Sequence, residues 1–333
     1  MIGLHVPALH KVVPFNRANR AMLTGLQAEG PILMTNRLDP TMIERFREEG
    51  FLAFDTGLPA RDIAALRDTL AALHAGNVGF EEGALFDAMG VDDGATPARF
   101  PQILHPRSFA PELIGSPFYR IARGMAEQIL GREVRFKADI SLLKPARIGD
   151  PTPWHQDEAF QDPAFDYQEI SFWLALQPVD TSNSCMAYVP GSHKGPVLSH
   201  GFPGGDSRIH ALECIDGFDP RDAVVCPLSA GGCVIHNGRT VHGAGPNTSA
   251  GDRMAYVLIF DTVPVPAKTE RHFPWRAKHK TARAQRELEW RRHGGILVHL
   301  WRQRSRVRVT SIRTLLFDMR RAARAVRRVV TAE

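Results

Sequence analysis

Two residues apart in the segment Pro153-Trp154-His155-Gln156-Asp157-Glu158 stand an imidazole and a carboxylate. Both side-chain types ligate metals. A second imidazole, His242, follows 87 residues later. Arg253 stands eleven residues beyond it, at the head of the apolar run Met254-Ala255-Tyr256-Val257-Leu258-Ile259-Phe260. Two imidazoles and one carboxylate can hold one face of an octahedral iron(II) and leave three positions open. A bidentate co-substrate and molecular oxygen could fill those positions. In an extended strand, side chains at i and i+2 point to the same side. His155 and Asp157 would then face one interior, with Gln156 directed elsewhere. His242 must come from a distant strand that the fold brings opposite. The pair alone also fits a surface turn in which Asp157 caps the following segment.

The elements that must position these residues can be read from periodicity. A helix is expected over Pro40 to Glu49, capped by Asp39 and ended by Gly50. Phe51-Leu52-Ala53-Phe54 reads as a strand. A second helix opens at Pro59-Ala60-Arg61-Asp62, with Ile63, Leu66, Leu70 and Leu73 at three- and four-residue spacing. Residues 77–100, rich in Gly, Asp and Ala, read as a loop region. A third helix fits Ser116 to Leu130 and ends at Gly131. Strands follow at Val134 to Leu143, Glu169 to Val179, Ser184 to Val189, Gly232 to His236 and Arg253 to Phe260. Ile170, Phe172, Leu174 and Leu176 share one face of the second of these. Helices first and short strands afterwards argue against alternating βαβ units. The expectation is a mainly β fold with flanking helices, either an antiparallel sandwich or an open barrel.

Composition narrows the setting. A chain of 333 residues can form one large domain or two smaller ones. Hydrophobic content of 44% and charged content of 23% fit an ordinary globule. No run of eighteen apolar residues reads as a membrane span. The start, Met1-Ile2-Gly3-Leu4-His5, lacks the form of a secretory signal. Cys185, Cys214, Cys226 and Cys233 match neither a zinc knuckle nor a disulfide scaffold. They suit a reducing cytoplasm and a role as small buried hydrophobes. The net charge of +5 hides an asymmetry. Residues 271–333 carry 18 basic against 4 acidic side chains, and residues 1–270 carry 23 against 32. The chain therefore divides into an acidic body, 1–270, and a basic extension, 271–333.

Four motifs surround the candidate ligands. Lys144-Pro145 precedes Trp154-His155-Gln156-Asp157. Pro190-Gly191-Ser192-His193-Lys194-Gly195 comes next, then His242-Gly243-Ala244-Gly245-Pro246-Asn247 with Arg253 behind it. In this order and spacing the chain resembles the phytanoyl-CoA dioxygenase family of iron(II)- and 2-oxoglutarate-dependent oxygenases, over roughly residues 40 to 265. The resemblance implies a double-stranded β-helix, the cupin-like jelly roll. It implies iron(II) held by His155, Asp157 and His242, with 2-oxoglutarate and O2 as co-substrates. It assigns the far carboxylate of 2-oxoglutarate to Arg253, whose planar fork matches a carboxylate with two charge-assisted hydrogen bonds. Trp173 and Ile140 would wall that pocket. A family serine that can bond the co-substrate falls at Ala244, so one hydroxyl is missing. His236 aligns outside the triad, as a packed or hydrogen-bonded neighbour, and His193 helps close its turn. The implied reaction hydroxylates an aliphatic C–H bond of a small organic substrate and releases succinate and CO2. An intact Asp157 fills the place a halide needs in related halogenases, which favours hydroxylation.

These motifs leave the substrate unnamed. Phe160, Phe165 and Tyr167 follow the first ligands and could line its entrance. In the extension, Ile312, Leu315, Leu316, Met319 and Ala322 form an apolar helical stripe, with Arg313, Arg320, Arg324 and Arg327 outside it. Such a helix could pack on the acidic body, drive self-association or lie on an anionic membrane surface. No nucleic-acid recognition module accompanies the charge. Two other readings use the same residues. One is a catalytically silent jelly-roll binding protein that interacts through its basic tail. The other is a zinc hydrolase.

Overall fold

The computed structural model describes residues 37–92, 97–131 and 134–292. The apolar stripe expected near residues 312–322 lies outside them. Helix α1 (Pro40–Glu49) begins where Asp39 accepts a hydrogen bond from the Thr41 N–H at 2.8 Å. It ends at Gly50, whose φ of 84° only glycine adopts without strain. A Cβ on Gly50 would also lie 2.3 Å from His193 Nδ1. The chain thereby turns straight into the first strand. Helix α2 (Ala60–Ala75) buries Ile63, Leu66, Leu70 and Leu73, the residues its spacing singles out. In α3 (Pro117–Leu130) the Ser116 hydroxyl caps the Tyr119 N–H at 3.2 Å.

Among the described residues two main antiparallel sheets follow, beside two short two-stranded ones. The larger contains β1 (Phe51–Asp55), β2 (Leu85–Asp87), β3 (Pro101–Leu104), β4 (Arg135–Lys144), β6 (Glu169–Ala175), β9 (Gly232–Asn237) and β11 (Arg253–Asp261). Its spatial order is β1-β9-β6-β11-β4-β3-β2. The smaller contains β5 (Thr152–His155), β7 (Met186–Tyr188), β8 (Val224–Cys226) and β10 (His242–Ala244), in the order β8-β7-β10-β5. This is the jelly roll, with both faces of the larger sheet covered. Alternation divides each strand between two cores. Phe172, Leu174, Ile235, Tyr256 and Leu258 pack with Leu66, Leu70, Phe118 and Ala122 on the helical side. Trp173, Ala175, Val234, Ala255 and Val257 face Met186, Tyr188, Cys226 and Ala244 between the sheets. Burial on both faces is why β6 and β11 read as near-continuous apolar runs.

Three elements differ from expectation. The stretch 77–100 includes β2, whose Leu85, Phe86 and Asp87 are buried against β3. The strand from Glu169 stops at Ala175, where Gln177 turns its side-chain amide onto the backbone of Met254 at 2.9 Å. Pro178, which has no N–H to donate, follows at once. The strand expected from Ser184 starts only at Met186, because Ser184 has a φ of 76°. All four cysteines are free and buried. No described helix is long and apolar enough to cross a membrane. The first part of the basic extension is docked on this fold. Trp275 of α4 (Pro274–Lys278) packs with Ala159, Leu212 and Phe273. From α5 (Ala282–Arg292), Arg286 donates to the carbonyls of Phe80 and Leu85.

Candidate metal and co-substrate site

Strand register brings the two imidazoles together. His242 on β10 stands directly opposite His155 on β5, and their ring centroids are 4.2 Å apart. Strand β5 ends at His155, and Asp157 begins a short 3-10 turn. Gln156 between them stays extended, so the alternation still places His155 and Asp157 on the same side. One ligand atom from each of His155, Asp157 and His242 lies within 4.8 Å of the others. Among the described residues no other group of this kind occurs.

Backbone carbonyls orient both rings. His155 Nδ1–H donates to Pro153 O and His242 Nδ1–H to Thr240 O, each at 2.8 Å. A carbonyl can only accept, so Nδ1 carries the proton and Nε2 is left with its lone pair. The two Nε2 atoms stand 3.6 and 3.7 Å from Asp157 Oδ1. The other carboxylate oxygen is occupied: Oδ2 accepts from Ser171 Oγ and His236 Nε2, both at 3.2 Å. Ser171 and His236 are themselves cross-strand partners on β6 and β9. Behind them the Tyr188 hydroxyl lies 3.4 Å from His236 Nδ1. The donor set thus fits a divalent cation, with Oδ1 and two Nε2 atoms converging and every outer atom anchored.

The neighbours of the ligands fix the segment from behind. The Gln156 amide donates to Arg239 O at 2.7 Å and its oxygen accepts from Leu198 N at 2.7 Å. Glu158 receives two bonds from Arg239 and one from Arg271. His193 Nε2 meets Arg47 O at 3.1 Å, closing its turn onto α1.

Arg253 stands at the start of β11 and is 1% exposed. Its Nη2 donates to Ser184 Oγ at 3.2 Å, while Nε and Nη1 are buried without a partner. The guanidinium carbon sits 5.4 Å from the Trp173 ring, whose own Nε1 is also unpartnered. Burial drives the Arg253 pKa down to about 9. Orphaned buried donors of this kind are rare in folded proteins and fit a carboxylate ligand. A cavity of ≈ 560 Å³ joins Arg253, Trp173 and Ile140 to the His–Asp–His cluster. Beyond the cluster it is walled by Phe160, His210, Trp275 and His279. Of the aromatic residues expected at the entrance, Phe160 lines the cavity, whereas Phe165 and Tyr167 do not. Ser171, Tyr188, His210 and Trp275 carried no sequence signal, because only strand register and chain docking bring them here.

Fold and cavity together define a 2-oxoglutarate-dependent oxygenase. A family model described as phytanoyl-CoA dioxygenase (PhyH) matches residues 46–255, and the chain belongs to that family. Its cofactor and co-substrate are accordingly iron(II) and 2-oxoglutarate. EvdO2 from Micromonospora carbonacea var. aurantiaca, solved in complex with 2-oxoglutarate, is 35% identical, with a TM-score of 0.62. The match spans 72% of this chain and 97% of that one. A probable alpha-ketoglutarate-dependent hypophosphite dioxygenase from Stutzerimonas stutzeri is 24% identical over 64% of this chain and 75% of its own length. The peroxisomal phytanoyl-CoA dioxygenase of Rattus norvegicus is 32% identical, but the match spans only 34% of this chain and 35% of the rat protein.

Proposed function

We propose that this protein hydroxylates an aliphatic C–H bond of a small organic substrate, with release of succinate and CO2. The observation that carries this reading is one cavity with a His–Asp–His cluster in its wall and a buried arginine with two free donors at one end. In it His155 Nε2, His242 Nε2 and Asp157 Oδ1 hold iron(II). Arg253 takes the far carboxylate of 2-oxoglutarate, and Trp173 and Ile140 hold its carbon chain. Bound iron(II) supplies the oxygen-activating chemistry that couples decarboxylation of 2-oxoglutarate to oxidation of the substrate. The protein places both molecules and keeps water from the reacting atoms. His236 and Ser171 hold Asp157 by Oδ2, leaving Oδ1 aimed at the metal position. Residues 1–270 form the catalytic domain and 271–333 a basic extension, whose α4 supplies part of the substrate wall. Self-association or contact with an anionic membrane would belong to the extension beyond α5. The four free thiols support a reducing, cytoplasmic setting.

Anaerobic addition of iron(II) and 2-oxoglutarate should produce the weak visible charge-transfer band of the chelate. His155→Ala and His242→Ala should abolish it. Arg253→Ala should weaken 2-oxoglutarate binding far more than iron binding. A wild-type protein with no band and no metal-dependent co-substrate affinity would sink the reading.

A further inference from the structure

Arg253 does not stand alone. Directly opposite it in the β11–β4 ladder is Lys144, which is 0% exposed. Like charges facing each other across a ladder repel, and here both are removed from water. No described carboxylate forms an ion pair with either. The acidic side chain that acts on Lys144 is Asp150, already committed to Arg99 at 2.8 Å. The Phe100 ring, 4.9 Å from Lys144 Nζ, and the Gly245 carbonyl, which accepts from Nζ at 3.0 Å, also stabilise the cation.

Both cations converge on one hydroxyl. Lys144 Nζ donates to Ser184 Oγ at 2.8 Å and Arg253 Nη2 donates to it at 3.2 Å. Ser184 Oγ–H donates its one hydrogen bond to Gly245 O at 2.6 Å. One hydroxyl has one proton and two lone pairs, so this arrangement saturates it. The backbone adopts an unfavourable conformation to place it there. Ser184 is fully buried, with a φ of 76°, in the left-handed region where a side chain is strained. Strain of this kind at a buried polar residue points to a use for its side chain. The geometry also bears on Ala244, where the family hydroxyl is missing. Ser184 presents a hydroxyl to the guanidinium from a different strand end.

We propose that Lys144 and Ser184 are positioning residues behind Arg253. Lys144 is a second cation and Ser184 the bridge that fixes the guanidinium, together selecting a 2-oxo acid with a second carboxylate. The inference rests on the assignment of Arg253 to that carboxylate. Without an anion, burial and the neighbouring guanidinium push the Lys144 ammonium well below its usual range. A carboxylate seated on the free Nε and Nη1 of Arg253 offsets the repulsion that a neutral end group would leave in place.

The test uses full-length, iron(II)-loaded protein under anaerobic conditions. It compares calorimetric affinities for 2-oxoglutarate and for 2-oxopentanoate, which has a methyl group in place of the far carboxylate. Lys144→Met should weaken 2-oxoglutarate about tenfold and 2-oxopentanoate by less than about twofold, as expected for loss of one charge partner. Ser184→Gly should also weaken 2-oxoglutarate selectively and lower the melting temperature, because relief of the left-handed strain does not offset two buried cationic donors left without their hydroxyl acceptor. Equal weakening of both acids by Lys144→Met would make the lysine merely structural. Unchanged 2-oxoglutarate affinity in either variant overturns that residue's role. Arg253→Gln separates the two levels of the argument. If the wild type binds both acids alike, or Arg253→Gln leaves the preference intact, the Arg253 assignment fails. If Arg253→Gln removes the preference but Lys144→Met and Ser184→Gly do not, that assignment stands and the present inference falls.

Discussion

At the scale of single residues, the partners of Asp157 do more than fill space. Its Oδ2 is held by Ser171 and His236, and the orientation of Oδ1 depends on those bonds. Loss of such an outer partner typically lowers metal affinity by ~10–100-fold. His236→Leu should therefore weaken iron(II) binding by about that factor while the protein still folds, as read by metal titration beside a thermal melt. Unchanged iron affinity would show that Asp157 is oriented without it. A second buried carboxyl lies along the same cavity. Burial pushes the pKa of Glu169 up from the usual 4.5 to about 7, against the pull of Lys137. Because this folded-state value is raised, the folded protein keeps a proton that the unfolded chain releases. Stability from Glu169 is complete below about pH 4.5 and is lost as the pH rises through about 7. Glu169→Gln should thus gain stability relative to wild type between pH 5 and pH 8, by up to about 3 kcal/mol. Denaturant midpoints at the two pH values measure this, and parallel curves for the two proteins would contradict it.

At the scale of elements, the site depends on how closely β10 approaches β5. Gly243 lies between His242 and Ala244, and a Cβ there would stand 3.1 Å from both Thr152 O and the Trp154 ring. Gly243→Val should wedge β10 from β5 and part the two imidazoles. The expected result is a stability loss of about 1–3 kcal/mol together with loss of iron binding. Circular dichroism and metal titration would report them separately, and normal iron affinity would contradict the argument. The same ladder shows what the sequence could disclose. His155, Asp157 and His242 were legible because alternation along a strand and motif spacing are properties of the chain itself. Ser171 and Tyr188 were not, because their closeness to the site comes from register: Ser171 opposite His236, Tyr188 opposite His242. The helices were legible from caps and from three- and four-residue spacing. Strand β2 was hidden, because three residues inside a glycine-rich stretch carry no period of their own.

At the scale of the whole molecule, charge suggested a division near residue 270, while packing continues past it. Charge counting registers the arginines of the extension but not its aromatic residues, and two of these reach the cavity. Trp275 is 5% exposed, donates from Nε1 to Ala159 O at 2.9 Å and lines the wall beside Phe160. His279 lines it too and bonds Ile209 O at 3.1 Å. Farther along, Arg286 ties α5 to the Phe80–Leu85 segment. Two truncations therefore differ in kind. Ending the chain after residue 295 keeps every described contact, so the iron and 2-oxoglutarate chelate should form with wild-type affinity. Any change in oligomeric mass or solubility would then belong to the basic segment beyond. Ending it after residue 270 also keeps His155, Asp157, His242 and Arg253, but removes Trp275 from a buried cluster. Losing a buried tryptophan costs about 3–5 kcal/mol. It also opens the substrate side of the cavity to water, so decarboxylation of 2-oxoglutarate should persist at a basal rate while its stimulation by extract metabolites is lost. Chelate affinity, sedimentation mass and succinate release on the three proteins at one salt concentration decide the matter. If the protein ending at 270 kept the metabolite-stimulated rate, α4 would have no part in holding substrate. If the protein ending at 295 lost the chelate while folded, the site would extend into residues beyond α5.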